Sequence, residues 1–164
     1  MLEPVTLVHA LAYTAIFSAY ALVTLHFAPR LWLRHFPANE RKRQPPRSRR
    51  ERMGLLFHTI VFLAGIMLSL PVLSAWWVFG TEANPDAVFR HVATLGIAAA
   101  FVDWLVLDWL LIRCLQPAWI IPAGTDTGSW RNSRDIVRDA LGFFPIGTGV
   151  ACAWAYATSR WILA

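Results

Sequence analysis

Four apolar stretches, each long enough to cross a bilayer as a helix, leave this chain few choices of fold. They run from about Val5 to Ala28, Met53 to Phe79, Val88 to Ile112 and Ala140 to Leu163. A helix needs about 20 residues to cross about 30 Å of hydrocarbon. Barrel strands would be about half as long and would alternate polar with apolar. These stretches do not alternate. Composition agrees, with 57% hydrophobic residues and only 15% charged. Soluble domains carry about 25% charged residues, and a chain of 164 residues could not bury the apolar excess. The expected fold is all-α: a polytopic membrane protein, a four-transmembrane-helix bundle forming a single domain over residues 1–164. The N-terminal Met1-Leu2-Glu3-Pro4 lacks the positive region of a signal peptide. The first stretch therefore reads as a retained span.

The basic residues orient the bundle. Nine of the fifteen Lys and Arg residues lie between Arg30 and Arg52, and four more between Arg113 and Arg138. The opposite side holds only Arg90 and Arg160, so the balance is thirteen against two. Cytoplasmic loops carry the excess of positive charge. Loops 29–52 and 113–139 are thus expected inside, and both termini outside, in a bacterial inner (plasma) membrane. A net charge of +5 also suits nucleic acid. Its concentration beside a span points instead to anionic lipid headgroups. The headgroup candidates are Arg41, Lys42, Arg43, Arg47, Arg49, Arg50 and Arg52; no nucleic-acid partner is expected. Pro45-Pro46 among these arginines predicts an extended centre to the loop. Trp32, Leu33 and Phe36 predict a short interfacial turn before it.

Pro71 and Pro145 are expected to kink the second and fourth spans. The fourth span repeats small residues at every fourth position: Gly147, Ala151 and Ala155, then Gly149, Ala153 and Ala157. Such stripes admit close helix approach, within the chain or in an oligomer. Cys114 and Cys152 form no spacing pattern, and no disulfide is expected between them. Ser133 and Asp135 stand where a cap and first turn of the fourth helix would fall.

Polar residues at membrane depth carry the functional question. Asp103 lies mid-span, about 15 Å of helix from Arg113. A carboxylate there costs about 2.5–3.5 kcal/mol on insertion scales, so it is expected to face the bundle on the side of Gly96 and Ala100. Asp108 lies about 140° further round and nearer the cytoplasmic end. His26 and His58 fall near the cytoplasmic ends of their spans, and His9 and His91 near the outer ends. Two histidine pairs at opposite faces are the arrangement that di-haem b-type proteins need. Haem b or a metal ion at His9, His91, His26 and His58 is one expectation. Interfacial histidines facing solvent or lipid are the other. A cytoplasmic-side set of His26, His58, Asp108, Thr125 and Asp126 has the chemistry to hold a metal or to act as acid and base on a headgroup. No H-E-x-x-H, paired CxxC or nucleotide glycine motif accompanies it.

Pro29, His35-Phe36-Pro37, Pro45-Pro46 and Arg49-Arg50-Glu51-Arg52, followed by Asp103-Trp104-Leu105, Asp108-Trp109 and Pro122-Ala123-Gly124-Thr125-Asp126, resemble a family of uncharacterised small bacterial integral membrane proteins. The resemblance runs from Pro29 to about Trp130. Here Ala123 stands between proline and glycine, and Asp126 replaces the family's Glu. The resemblance implies a four-helix fold and supplies no activity. Two functions stay open. One is a non-enzymatic membrane module: a complex subunit, an assembly factor or a small carrier, alone, as a homo-oligomer or in a larger complex. The other is a membrane-embedded redox or metal/haem-binding enzyme using His26, His58 and Asp108 or the His9/His91 pair.

Overall fold

A computed structural model describes residues 3–35, 42, 44–80, 84–120 and 133–162, without the side chains of 34, 35, 113, 133–143 and 162. Among the described residues the secondary structure is helical throughout, with no strand. Helix α1 is Pro4–Phe27, and a 3-10 turn over Pro29–His35 follows it. Helix α2 is Arg49–Phe79. Helix α3 runs Pro85–Val102 and continues through Asp103–Leu115. Helix α4 runs Ser133–Ala157 and continues through Thr158–Ile162. Three of these helices, α1, α2 and α3, are long and apolar enough to cross a membrane.

Local chemistry sets their ends. Ala28 precedes a proline, a position that disfavours helical backbone, and α1 stops there. Ser48 and Glu51 form a reciprocal capping box that starts α2: the Ser48 hydroxyl accepts from the Glu51 N–H, and the Glu51 carboxylate from the Ser48 N–H. Gly80 ends α2 at φ +65°, where a side chain would be strained. Asn84 caps α3, accepting from the Asp86 N–H at 2.9 Å, with Pro85 in the first turn. Gln116, left-handed at φ 47° and followed by Pro117, ends α3.

Three sections are wound more widely, with bonds to the fifth residue back: Val61–Ser69, Asp103–Leu115 and Thr158–Ile162. Leu70 N–H, for example, reaches the Gly65 carbonyl. Pro71 sits just past the first of these, in the opening turn of the α-helical section Leu70–Phe79. Its missing N–H thus falls where the winding changes, and the helix runs on through it. Pro145 lies inside Ser133–Ala157, which also continues past it.

Helix α1 buries Thr6, Ala10, Tyr13, Phe17, Ala21 and Leu25, a stripe spaced by threes and fours. Its other faces are bare: Leu11 is 74% exposed and Phe27 79%. Trp77 on α2 is likewise 79% exposed. Helices that are apolar all round and mostly uncovered are those solvated by lipid. Trp32 and Leu33, expected at an interfacial turn, are buried in the core instead. Trp32 Nε1–H donates to Thr24 Oγ1 at 3.0 Å, which gives the indole its polar partner indoors.

Helix α3 is central, packing against α1, α2 and α4. Its contact with α4 is a close one. A Cβ added at Gly96 would stand 2.6 Å from Ala151 Cβ, and one at Gly147 would stand 3.3 Å from Ala100 Cβ. The first small-residue stripe of α4 therefore serves packing inside the chain. The second is turned outward: nothing lies within 4 Å of a Cβ at Gly149. Contact between α3 and α4 extends from Phe101 and Trp104 against Phe144 to Asp86 against Arg160 at 3.0 Å. Both helices therefore run side by side, antiparallel, for about 22 Å.

Candidate functional site

Two polar clusters, both centred on histidine, occupy opposite ends of the bundle. At the end that carries Asp86 and Arg160, Thr6 and His9 stand one turn apart on α1. Spacing i, i+3 puts them on neighbouring parts of one face. Ser74 faces them from α2 and His91 from α3. His91 is wholly buried. Its Nδ1 lies 3.0 Å from Thr6 Oγ1, and its Nε2 lies 2.8 Å from Ser74 Oγ. The same Ser74 Oγ lies 2.7 Å from His9 Nδ1. The two imidazole centroids are 5.5 Å apart at 66°. Phe79 closes the far side of His91 with an edge-on ring at 5.4 Å.

The sequence thus put His9 and His91 at one depth, and the structure brings them together. It joins them through a serine hydroxyl. A haem held by both rings needs the porphyrin plane between them, and that space holds Ser74. With both His91 nitrogens hydrogen-bonded to hydroxyls, the arrangement fits a polar relay and does not fit a haem pocket.

At the basic end, His58 of α2 is buried against α1 and the 3-10 turn. Tyr20 Oη lies 2.9 Å from His58 Nδ1. The imidazole is stacked with Tyr20 at 9° and with Phe62 at 16°, and Trp32 meets it edge-on. His26 lies elsewhere. It is exposed, and its ring touches Phe27 and Trp119. The cytoplasmic-side set is therefore divided among different surroundings. His58 is enclosed in aromatic rings, His26 is at the surface, and Asp108 is half-buried on α3. Thr125 and Asp126 lie outside the described residues. Among the described residues no three of His, Cys, Asp and Glu gather closely enough to hold a metal ion.

For His58 and His91, which are buried, the expectation of solvent or lipid partners is corrected: hydroxyls on neighbouring helices hold them. His9 is half-buried and meets Ser74 through one ring nitrogen. Asp103 is buried, 7% exposed, at the first residue of the widely wound section of α3.

Of the headgroup candidates, Lys42, Arg49, Arg50 and Arg52 are exposed, whereas Arg47 donates to the Arg30 carbonyl at 3.0 Å. Arg41 and Arg43 lie outside the described residues. Arg30 pairs with Glu51 and also donates to the Pro45 carbonyl, tying the 3-10 turn to the start of α2. Hydrogen bonds from Ser48, then the Arg30 charge, hold the Glu51 carboxyl below its ordinary value.

Sequence reasoning missed Ser74, Thr6 and Tyr20. Hydroxyls in apolar spans are common, so type alone does not mark them. The spacing of Thr6 and His9 was the available signal. No model of a known protein family matches the chain, and no curated protein or solved structure matches it.

Proposed function

We propose that the chain is a four-span bacterial inner-membrane protein, with both termini outside, working as a non-enzymatic membrane module. In this reading α4 is the fourth span, and it serves a complex or a small carrier rather than a reaction. The supporting observation for the fourth span is the length of the α3–α4 contact, from Phe144 to Arg160 along an apolar neighbour. A helix that follows another for about 22 Å crosses most of the same hydrocarbon.

The observation that carries the module reading is the use made of the histidines. Each buried imidazole fastens one helix to another through a hydroxyl: α1, α2 and α3 at one end, α1 and α2 at the other. Such bonds are worth about 0.6–2 kcal/mol between membrane helices. They specify the bundle, and they engage both ring nitrogens of His91. The exposed arginines Arg49, Arg50 and Arg52 supply a contact with anionic headgroups, at about 1 kcal/mol per residue near the surface.

The test is spectroscopy and elemental analysis on protein purified in mild detergent. The module reading expects no Soret band and no stoichiometric metal. A Soret band, or one metal ion per chain, would move the assignment to the redox and metal-binding alternative at His26, His58 and Asp108 or His9 and His91. Charge reversal of Arg49, Arg50 and Arg52 to Glu is expected to weaken association with anionic vesicles. Unchanged lipid preference would give the loop another role.

A further inference from the structure

We propose that His9, Ser74, His91 and Thr6 form a site for one proton, which Ser74 passes between the two imidazoles. The inference stands on the hydrogen-bond geometry alone and is independent of whether the chain is a subunit or a carrier.

Counting hydrogens fixes the site's behaviour. Ser74 has one O–H to donate, and two imidazole nitrogens lie at 2.7 and 2.8 Å from its oxygen. It therefore donates to one ring and accepts from the other. With both rings neutral, two directions satisfy every bond. In the first, His9 Nδ1–H donates to Ser74, Ser74 O–H donates to His91 Nε2, and His91 Nδ1–H donates to Thr6. In the second, all three bonds point the other way.

His9 Nε2 has no hydrogen-bond partner among the described residues, and its ring is half-buried. His91 has neither nitrogen free. A proton from water at the bundle end thus enters at His9 Nε2, forming an N–H there and breaking none of the three bonds. It also selects the first direction. The charge then crosses without movement of any heavy atom. The His9 Nδ1 proton passes to Ser74 Oγ as the Ser74 hydroxyl proton passes to His91 Nε2. His9 is left neutral with its proton on Nε2, and His91 carries the charge with its Nδ1–H still donated to Thr6. A second proton would place two imidazolium rings 5.5 Å apart, which like-charge repulsion opposes.

Among the described residues, the surrounding charges leave this balance to the cluster. Helix α2 carries no charged residue from Met53 to Gly80, and α1 none from Pro4 to Phe27. At this end Glu3 and Arg90 are exposed, and Asp86 is engaged by Arg160 of α4. Phe79 is the neighbour on the far side of His91.

The experiment is nitrogen NMR of histidine rings in the full chain, in lipid nanodiscs, from about pH 8 to about pH 4 to bracket the ordinary imidazole value. The expected result is that His9 and His91 shift together with one midpoint and take up one proton between them. Ser74→Ala should leave His9 titrating alone and His91 still, while Ser74→Thr, which keeps the hydroxyl, should restore the shared midpoint. The wild-type titration alone decides if Ser74→Ala fails to fold. Separate midpoints, movement of only one ring in wild type, or a Ser74→Ala profile identical to wild type would overturn the proposal.

Discussion

Gly96 is the position at which a single methyl group has the largest predicted effect. Its added Cβ would sit 2.6 Å from Ala151 Cβ, and neither helix has a flexible end to yield. Gly96→Ala should destabilise the bundle by about 1–3 kcal/mol, the usual range for overpacking. Gly54→Ala and Gly65→Ala meet nothing within 4 Å and should be neutral or stabilising by up to about 1 kcal/mol. Unfolding in mixed micelles would measure all three, and a silent Gly96→Ala would mean that α3 and α4 do not pack as described. The same residues show what the sequence carried. Repeats of glycine and alanine were visible, but which stripe meets a neighbour depends on helix rotation, and that depends on partners far along the chain. Gly147 and Ala151 turned inward while Gly149 turned outward for that reason. The depth of Asp103 was equally legible, because a carboxylate in an apolar run has one tolerable direction to face. Asp103→Asn, which keeps the side chain's shape and its acceptor oxygen, should fold as the wild type does. If Asp103 carries a proton or holds a cation, this substitution should disrupt activity or binding more than Asp108→Asn does. Unchanged activity and binding in the Asp103→Asn variant would make the residue structural.

At the scale of elements, the start of α2 is where pH has a predictable local effect outside the apolar span. Glu51 is held below its ordinary carboxyl value by Ser48 and Arg30. A carboxyl with a lowered folded value adds stability above its unfolded value and loses it as pH falls through the folded one. Protection of the amides at residues 48–52, taken relative to their intrinsic exchange rates, should therefore fall in acid, from below about pH 4.5. Glu51→Gln should exchange faster at neutral pH and lose most of that pH dependence. If acid leaves this turn as protected as neutral buffer does, the capping box is not holding it. The capping box is legible in Ser48-x-x-Glu51, next to the Pro45-Pro46 pair that predicts an extended centre to the loop. The widely wound sections had no sequence signal at all. Apolar periodicity does not distinguish winding to the fourth residue from winding to the fifth, since packing against neighbours decides it.

For the whole molecule, apolar length spoke most directly. The first three apolar stretches fall on α1, α2 and α3, the helices long and apolar enough to cross a membrane. Spans are set by the thickness of hydrocarbon, which the sequence meets with length and composition alone. Polar clusters were legible only in part, because they assemble from three helices at once. His9 and His91 were matched by depth, but the serine that links them came from a helix whose rotation no local pattern gives. The account's central claim is a bundle of four spans with both termini outside. A pair of reporters, one that works only outside and one only inside, fused after Ala164 tests it most directly. Four spans starting from an outside N-terminus place that fusion outside, so the outside reporter should be active and the inside one silent. Activity of the inside reporter at Ala164 would contradict the account.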